Sequence, residues 1–170
     1  MQFNFRQAKI SDLEEVMCIF TDAQAFMQSH GNPQWPKGFP YKNDVRWGIL
    51  GGVLYVVTAE NGKIAAVFSV AGYDRDYDEI DGKWLTSGNY LAVHRVAVSS
   101  DFRGTGAAKY IVNNAACEIA HSRGRLSIRM DTHEKNAPML ALLKSQGFTE
   151  CGKITLIRDY TSRVAFEKIL

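Results

Sequence analysis

LAVHRVAVSSDFRGTGAAKYIVNNAACEIAHSRGRLSIRMDTHEKNAPMLALLKSQGF, residues 91–148, is the stretch whose reading decides the fold. It reads as strand, glycine-rich turn, helix, strand, short loop and second helix. Leu91 to Val98 is apolar and β-branched and ends in the turn cluster Ser99-Ser100-Asp101. After the turn, Ala108, Ile111, Ala115 and Ile119 recur at helical spacing, with Gly124 as the stop signal. Between strand and helix sits Arg103-Gly104-Thr105-Gly106-Ala107-Ala108. Small residues there let main-chain N–H groups approach a ligand closely, and a new helix adds partial positive charge. That is the physics of an anion cradle, suited to a pyrophosphate.

Three kinds of cradle compete, beside the plain reading of a tight turn with no ligand. A P-loop ends in Gly-Lys-Ser/Thr, which is absent here. A dinucleotide fingerprint needs a third glycine where Lys109 stands, although Asp131 supplies an acid at the end of the next strand. That unit also normally opens its domain, whereas about a hundred residues come before it in this chain. The third is the R/Q-x-x-G-x-G/A signature of the GNAT superfamily of N-acetyltransferases, which Arg103, Gly106 and Ala108 resemble. The resemblance extends both ways. Upstream, the strand ending Val96-Ala97-Val98 is similar to the one that pairs with the pantetheine arm of acetyl-CoA. Downstream, Asn136 through Gly147-Phe148 resembles the family's N-x-x-A-x-x-L-Y-x-x-x-G-F helix.

The resemblance implies an α/β, GNAT-like three-layer fold over one domain, residues 1–170. Its central sheet is mixed and mostly antiparallel, with a parallel βαβ acetyl-CoA unit and flanking helices. It implies acetyl-CoA as co-substrate, held by Val96, Ala97, Val98, the turn residues Arg103, Gly104, Thr105, Gly106, Ala107 and Ala108, and Asn136. It also implies transfer of the acetyl group to a primary amine, on a small molecule or a peptide, by direct attack in a ternary complex. No metal is called for. One departure stands out: the family's thiolate-protonating tyrosine is replaced by Leu143. A thiol with a pKa of about 8.5 leaves tolerably as thiolate, so a proton donor helps without being compulsory. Tyr110, His133 or a loop tyrosine could substitute.

Composition narrows the remaining classes. A chain of 170 residues fits one domain, and a net charge of +2 steers it to neither nucleic acid nor anionic membrane. Cys18, Cys117 and Cys151 are odd in number and widely spaced, which suits a reducing cytoplasm better than a disulfide framework. There is no signal peptide pattern and no apolar run of spanning length. A homodimer is left open.

Before the deciding stretch, residues 2–8 alternate as a first strand, and Ser11-Asp12 starts a helix. The buried stripe of that helix is expected at Leu13, Val16, Met17, Phe20, Ala23 and Met27. His30 to Tyr41 is rich in proline, glycine and aromatics. It reads either as a self-pinned surface loop or, through Trp35, Phe39 and Tyr41, as a wall of the acceptor site. A short helix from Asn43 or Asp44 to Ile49 comes next. Asn61-Gly62 then joins two strands, Val53 to Ala59 and Lys63 to Ala71, as a hairpin. Asp74, Asp76, Asp78, Glu79 and Asp81 form an acidic strip, read as solvated loop or as an attractor of a cationic amine.

Strand alternation puts Ala92, His94, Val96 and Val98 on one face and Leu91, Val93, Arg95 and Ala97 on the other. Arg95 is expected to pair with an acid on a neighbouring strand. His94 stands at or beside the family's proton-accepting position, and an imidazole with a pKa of about 6.5 suits that task. A satisfied structural histidine is the other reading. Past the turn, Arg125 to Asp131 is expected to run parallel to the first strand, and Asn136 to cap the last helix, with Phe148 folding back on Leu142 or Leu143. Thr149 to Ile157 and Arg163 to Ile169 complete a final hairpin. Two rival classes remain: a degenerate acyl-CoA-binding sensor of the same fold, and an NAD-dependent oxidoreductase.

Overall fold

The structure, a computed structural model, describes residues 1–170. In chain order the strands and helices are β1 (Phe3–Gln7), α1 (Leu13–Ser29), α2 (Lys42–Leu50), β2 (Leu54–Ala59), β3 (Ile64–Ala71), β4 (Asp81–Gly82) and β5 (Tyr90–Val98). They continue with α3 (Ala107–Tyr110), α4 (Ala116–Ser122), β6 (Ser127–Thr132), α5 (Ala137–Ser145), β7 (Thr149–Thr155) and β8 (Ser162–Ile169). The strands form one sheet of order β1-β2-β3-β5-β6-β8-β7-β4, antiparallel except for the β5–β6 pair. The mixed sheet, its single parallel pair and the flanking helices match the fold expected. Two compact units divide the chain: Met1–Val70 with Arg95–Ile111, and Ala71–His94 with Val112–Leu170.

In the first unit, β1, β2 and β3 form an antiparallel meander, with Gly62 turning the hairpin at φ +79°. α1 buries Val16, Ile19, Phe20 and Gln24, an i, i+3, i+4, i+8 stripe, while Leu13, Met17, Ala23 and Met27 pack at its margin. Ile19 is the core member that the sequence stripe left out. Each such buried aliphatic or aromatic side chain contributes about 1.5–3 kcal/mol. The Arg6–Asp12 ion pair at the start of α1 is partly exposed and contributes at most about 1 kcal/mol, so apolar burial anchors this helix. Asp12 also receives the Lys9 amide at 2.7 Å and closes a short 3-10 turn, Ile10–Asp12, ahead of the α-helix.

In the second unit, β6 pairs with β8 from Ser127↔Ile169 to Thr132↔Val164, and β8 pairs with β7 across a register slip at Glu150/Gly152. β4 docks on β7 at Asp81↔Lys153 and Gly82↔Gly152. A Cβ on Gly82 would lie 2.1 Å from the Cys151 carbonyl oxygen, and one on Gly152 2.1 Å from that of Asp81, so glycine is required on both sides. Tyr77, Tyr90, Ala92, Ile154, Leu156 and Ala165 make the core of this unit. The parallel β5–β6 ladder is short: Tyr90↔Ser127, Leu91↔Ile128 and Ala92↔Arg129.

β5 departs from the expected alternation. Arg95 takes φ +54°, a backbone region that costs a non-glycine residue on the order of 1 kcal/mol, and this kink interrupts the pleat between His94 and Val96. The helix after the turn also differs from a single regular run. Its middle, Ile111–Ala115, is π-helical and lies between α3 and α4. Ile111, Ala115 and Ile119 are nonetheless buried as their spacing requires.

Candidate active site

The turn at 99–106 belongs to the first unit. Ser100–Phe102 forms a 3-10 turn, Thr105 Oγ1 donates to the Phe102 carbonyl at 2.6 Å, and Gly104 and Gly106 adopt φ +75° and +94°. Nothing lies within 4 Å of where a Cβ would stand on either glycine. Helical backbone starts at Ala107, so the amides of its first turn have no intrahelical acceptor. Bare main chain, open space and unsatisfied N–H groups coincide here, which is what close approach of a phosphate needs.

Arg103 does not point into this space. Its guanidinium donates to the Asp22 carbonyl at 3.2 Å and lies 4.4 Å above the Phe26 ring, and Ser100 Oγ approaches Asp22 Oδ2 at 3.4 Å. The motif arginine therefore ties the turn to α1 through its side chain.

His94 belongs to the second unit, two residues past the last β5–β6 ladder pair. Continuing that parallel register from Ala92↔Arg129 sets His94 beside Asp131, and Nδ1 lies 3.7 Å from Asp131 Oδ1. Nε2 lies 2.8 Å from Asp74 Oδ2, an ion-pair contact. Tyr77, fully buried, donates its hydroxyl to Asp131 Oδ1 at 2.8 Å and packs its ring 5.7 Å from that of His94. Burial, and then the Asp131 charge, push the Tyr77 phenol well above its ordinary value. Burial also pushes the Asp74 carboxyl up. The His94 hydrogen bond and charge, with the Asp76 amide, outweigh it and hold Asp74 below the ordinary carboxylate range.

The acidic strip is thus divided. Asp74 turns towards His94, and Asp76, Asp78, Glu79 and Asp81 line a groove of about 630 Å³ with Arg75 and Lys153. Within that stretch Asp76 accepts the Ile157 amide at 2.9 Å and Asp78 accepts the Tyr73 hydroxyl at 2.5 Å. In the aromatic loop, Trp35 is core, packed edge-on to Phe20 and Phe39, whereas Tyr41 is 57% exposed. Gln24 on α1 bonds the loop carbonyl of Pro36 and the amide of Gly38. The Arg95 guanidinium lies 5.5 Å above the Phe39 ring.

The model of the acetyltransferase (GNAT) family matches residues 19–148. The chain belongs to the GNAT acetyltransferase family. A GNAT acetyltransferase from Streptococcus agalactiae is 33% identical, with a TM-score of 0.87 over 99% of this chain and 95% of that one. One from Listeria monocytogenes shares the fold at 21% identity and a TM-score of 0.76, over 99% and 95% of the two chains. So does the PaiA N-acetyltransferase of Thermoplasma acidophilum in complex with coenzyme A, at 13% identity and a TM-score of 0.74 over both full chains. No curated protein sequence matches at a significant level.

GNAT enzymes use acetyl-CoA. The last helix has the cap and the stop expected of it. Asn136 Oδ1 accepts the Met139 amide at 3.4 Å as an N-cap, and the Phe148 amide donates to the Leu143 carbonyl at 3.1 Å, closing a Schellman turn at Gly147. Leu143, where the resemblance leads one to expect a tyrosine, is completely buried. Of the substitute donors, His133 is held below the ordinary histidine value by burial, with Arg163 adding to the effect. Tyr110 packs on Phe3 at 5.7 Å.

Asp74, Asp131 and Tyr77 were not singled out by sequence as partners of His94. The parallel register carries the signal for Asp131, since equal steps beyond Ala92 and Arg129 reach both residues. Asp74 was indistinguishable from its acidic neighbours.

Proposed function

We propose that this GNAT protein transfers the acetyl group of acetyl-CoA to a primary amine by direct attack. The observation that supports it most is the open, glycine-formed main chain of this turn, where nothing lies within 4 Å of the place a Cβ would take on Gly104 or Gly106. Val96, Ala97 and Val98 continue the strand that leads into this turn and would pair with the pantetheine arm. Asn136 acts through the helix it caps. Phe39 and Tyr41 would meet the acceptor, with Trp35 as their buried support.

An amine attacks only as the free base, so His94 would take its proton, directly or through one water. The nitrogen–carbon bond forms, the carbon–sulfur bond breaks, and coenzyme A leaves as thiolate. Main-chain N–H near Val98 would stabilise the oxyanion. The imidazolium that results would stand beside Asp74 and Asp131. Holding both reactants on one protein supplies the proximity term. The four acids of the 76–81 segment favour a cationic acceptor by raising its local concentration.

The test is a panel of primary amines — amino acids, diamines and short peptides — assayed by thiol release from acetyl-CoA. At least one is expected to turn over, and His94→Ala is expected to lower that turnover at least tenfold with acetyl-CoA binding retained. Undiminished turnover in His94→Ala would remove the histidine from the mechanism. Saturable acetyl-CoA binding with no acceptor turned over would instead favour the non-catalytic sensor.

A further inference from the structure

We propose that Asp74 and Asp131 are positioning residues that govern when His94 carries a proton, with Tyr77 fixing Asp131. The inference rests on the reading of His94 as proton acceptor. Three side chains from two elements converge on one imidazole. Asp74 precedes the 3-10 turn Arg75–Tyr77, Asp131 lies on β6, and Tyr77 closes the turn. Both carboxylates are held by other bonds. Asp74 Oδ1 accepts the Asp76 amide at 2.9 Å, and its main chain brackets the Tyr90 hydroxyl, its amide donating at 2.9 Å and its carbonyl accepting at 3.2 Å. Asp131 accepts the Tyr77 hydroxyl, and Tyr77 is wedged between the rings of Trp84 and Tyr90 at 5.2 and 5.8 Å.

The charges about His94 are therefore unbalanced. Asp74 and Asp131 face the ring, Tyr77 and Tyr90 are neutral at working pH, and Arg163 on β8 interacts electrostatically with Asp131. Arg129 on β6 is stacked on Trp84 and Tyr90 at 4.2 and 4.1 Å, with Glu167 as its ion-pair partner. Two carboxylates beside one imidazole favour its charged form, so the proton taken from an amine has a ready site. Because the side chains of Asp74 and Asp131 are only 22% and 11% exposed, water screens this effect less than at the surface. Asp74, the closer, has the larger influence.

The experiment uses Asp74→Asn, Asp131→Asn and His94→Ala in the full chain. The His94 ring is titrated by proton–nitrogen NMR, assigned by its loss in His94→Ala. The acid limb of the rate profile is followed by thiol release, using the amine from the panel that turns over fastest. Both midpoints are expected to move to lower pH together, by about one unit in Asp74→Asn and less in Asp131→Asn. The plateau rate is expected to fall about tenfold in Asp74→Asn, and acetyl-CoA affinity is expected to hold. An acid limb that stays at the wild-type pH in both variants, while His94→Ala is inactive, overturns the positioning role and leaves the base assignment standing. Full activity in His94→Ala overturns the base assignment, and this inference with it. Should Asp74→Asn not fold, Asp131→Asn carries the same two readouts.

Discussion

Glu167 is the most heavily bonded side chain in the molecule's second unit. Completely buried on β8, it accepts from the Leu85 and Thr86 amides, both the Thr86 and Ser127 hydroxyls, and Arg129 Nε at 3.1 Å. Burial alone would raise its pKa. The hydrogen bonds of Ser127, Thr86 and Arg129 outweigh that and lower it from the ordinary value of 4.5. A carboxyl depressed in the fold contributes stability that is complete above its unfolded value and is lost as pH falls through its folded one. Unfolding free energy is therefore expected to be flat at neutral pH and to fall below about pH 4.5, with Asp12, Asp74 and Asp159 adding to the loss. Urea melts across pH 3 to 7 check this. Glu167→Ala leaves Arg129 buried without its counter-charge and is expected to cost about 3–5 kcal/mol at pH 7. A cost under about 1 kcal/mol would mean the network is replaceable. None of this was legible in the sequence, because Thr86, Ser127 and Arg129 sit far from residue 167 and only the β6–β8 register brings two of them to it. His94 stood out in the sequence, beside Arg95, as an ionisable residue in an apolar strand, whereas Asp74 and Asp131 as its neighbours did not.

At the scale of elements, local chemistry was a good guide wherever the chain carried its own punctuation. Asn61-Gly62 turned the expected hairpin, Asn136 capped α5, and Gly147-Phe148 stopped it. Asn136→Ala removes the acceptor for the Met139 amide and is expected to cost about 1 kcal/mol, read as a lower melting temperature. An unchanged melting temperature would show that solvent serves that amide equally well. Two irregularities had no such signal. Arg95 at φ +54° is neither glycine nor asparagine, and the π-helical segment 111–115 keeps an ordinary apolar pattern. Both are set by tertiary packing rather than by the residues' own preferences.

For the whole molecule, the mixed sheet with one parallel pair was foreseen from the resemblance carried by Arg103, Gly106, Ala108, Asn136 and Gly147, while the strand order came only with the structure. In that order β5 lies between β3 and β6, and its chain leads into the 99–106 turn. No helix is long and apolar enough to cross a membrane. The proposed acetyl-CoA site rests on main-chain amides at Gly104–Ala108 holding the diphosphate of coenzyme A. Its most direct test is calorimetric titration of the wild-type protein and of Gly106→Val with acetyl-CoA. At φ +94° a β-branched side chain is strained and would fill the open space above the amides. Saturable one-site binding is predicted for wild type, weakened at least tenfold in Gly106→Val while the fold is retained by circular dichroism. No heat from the wild type, or equal affinity in the folded variant, would contradict it.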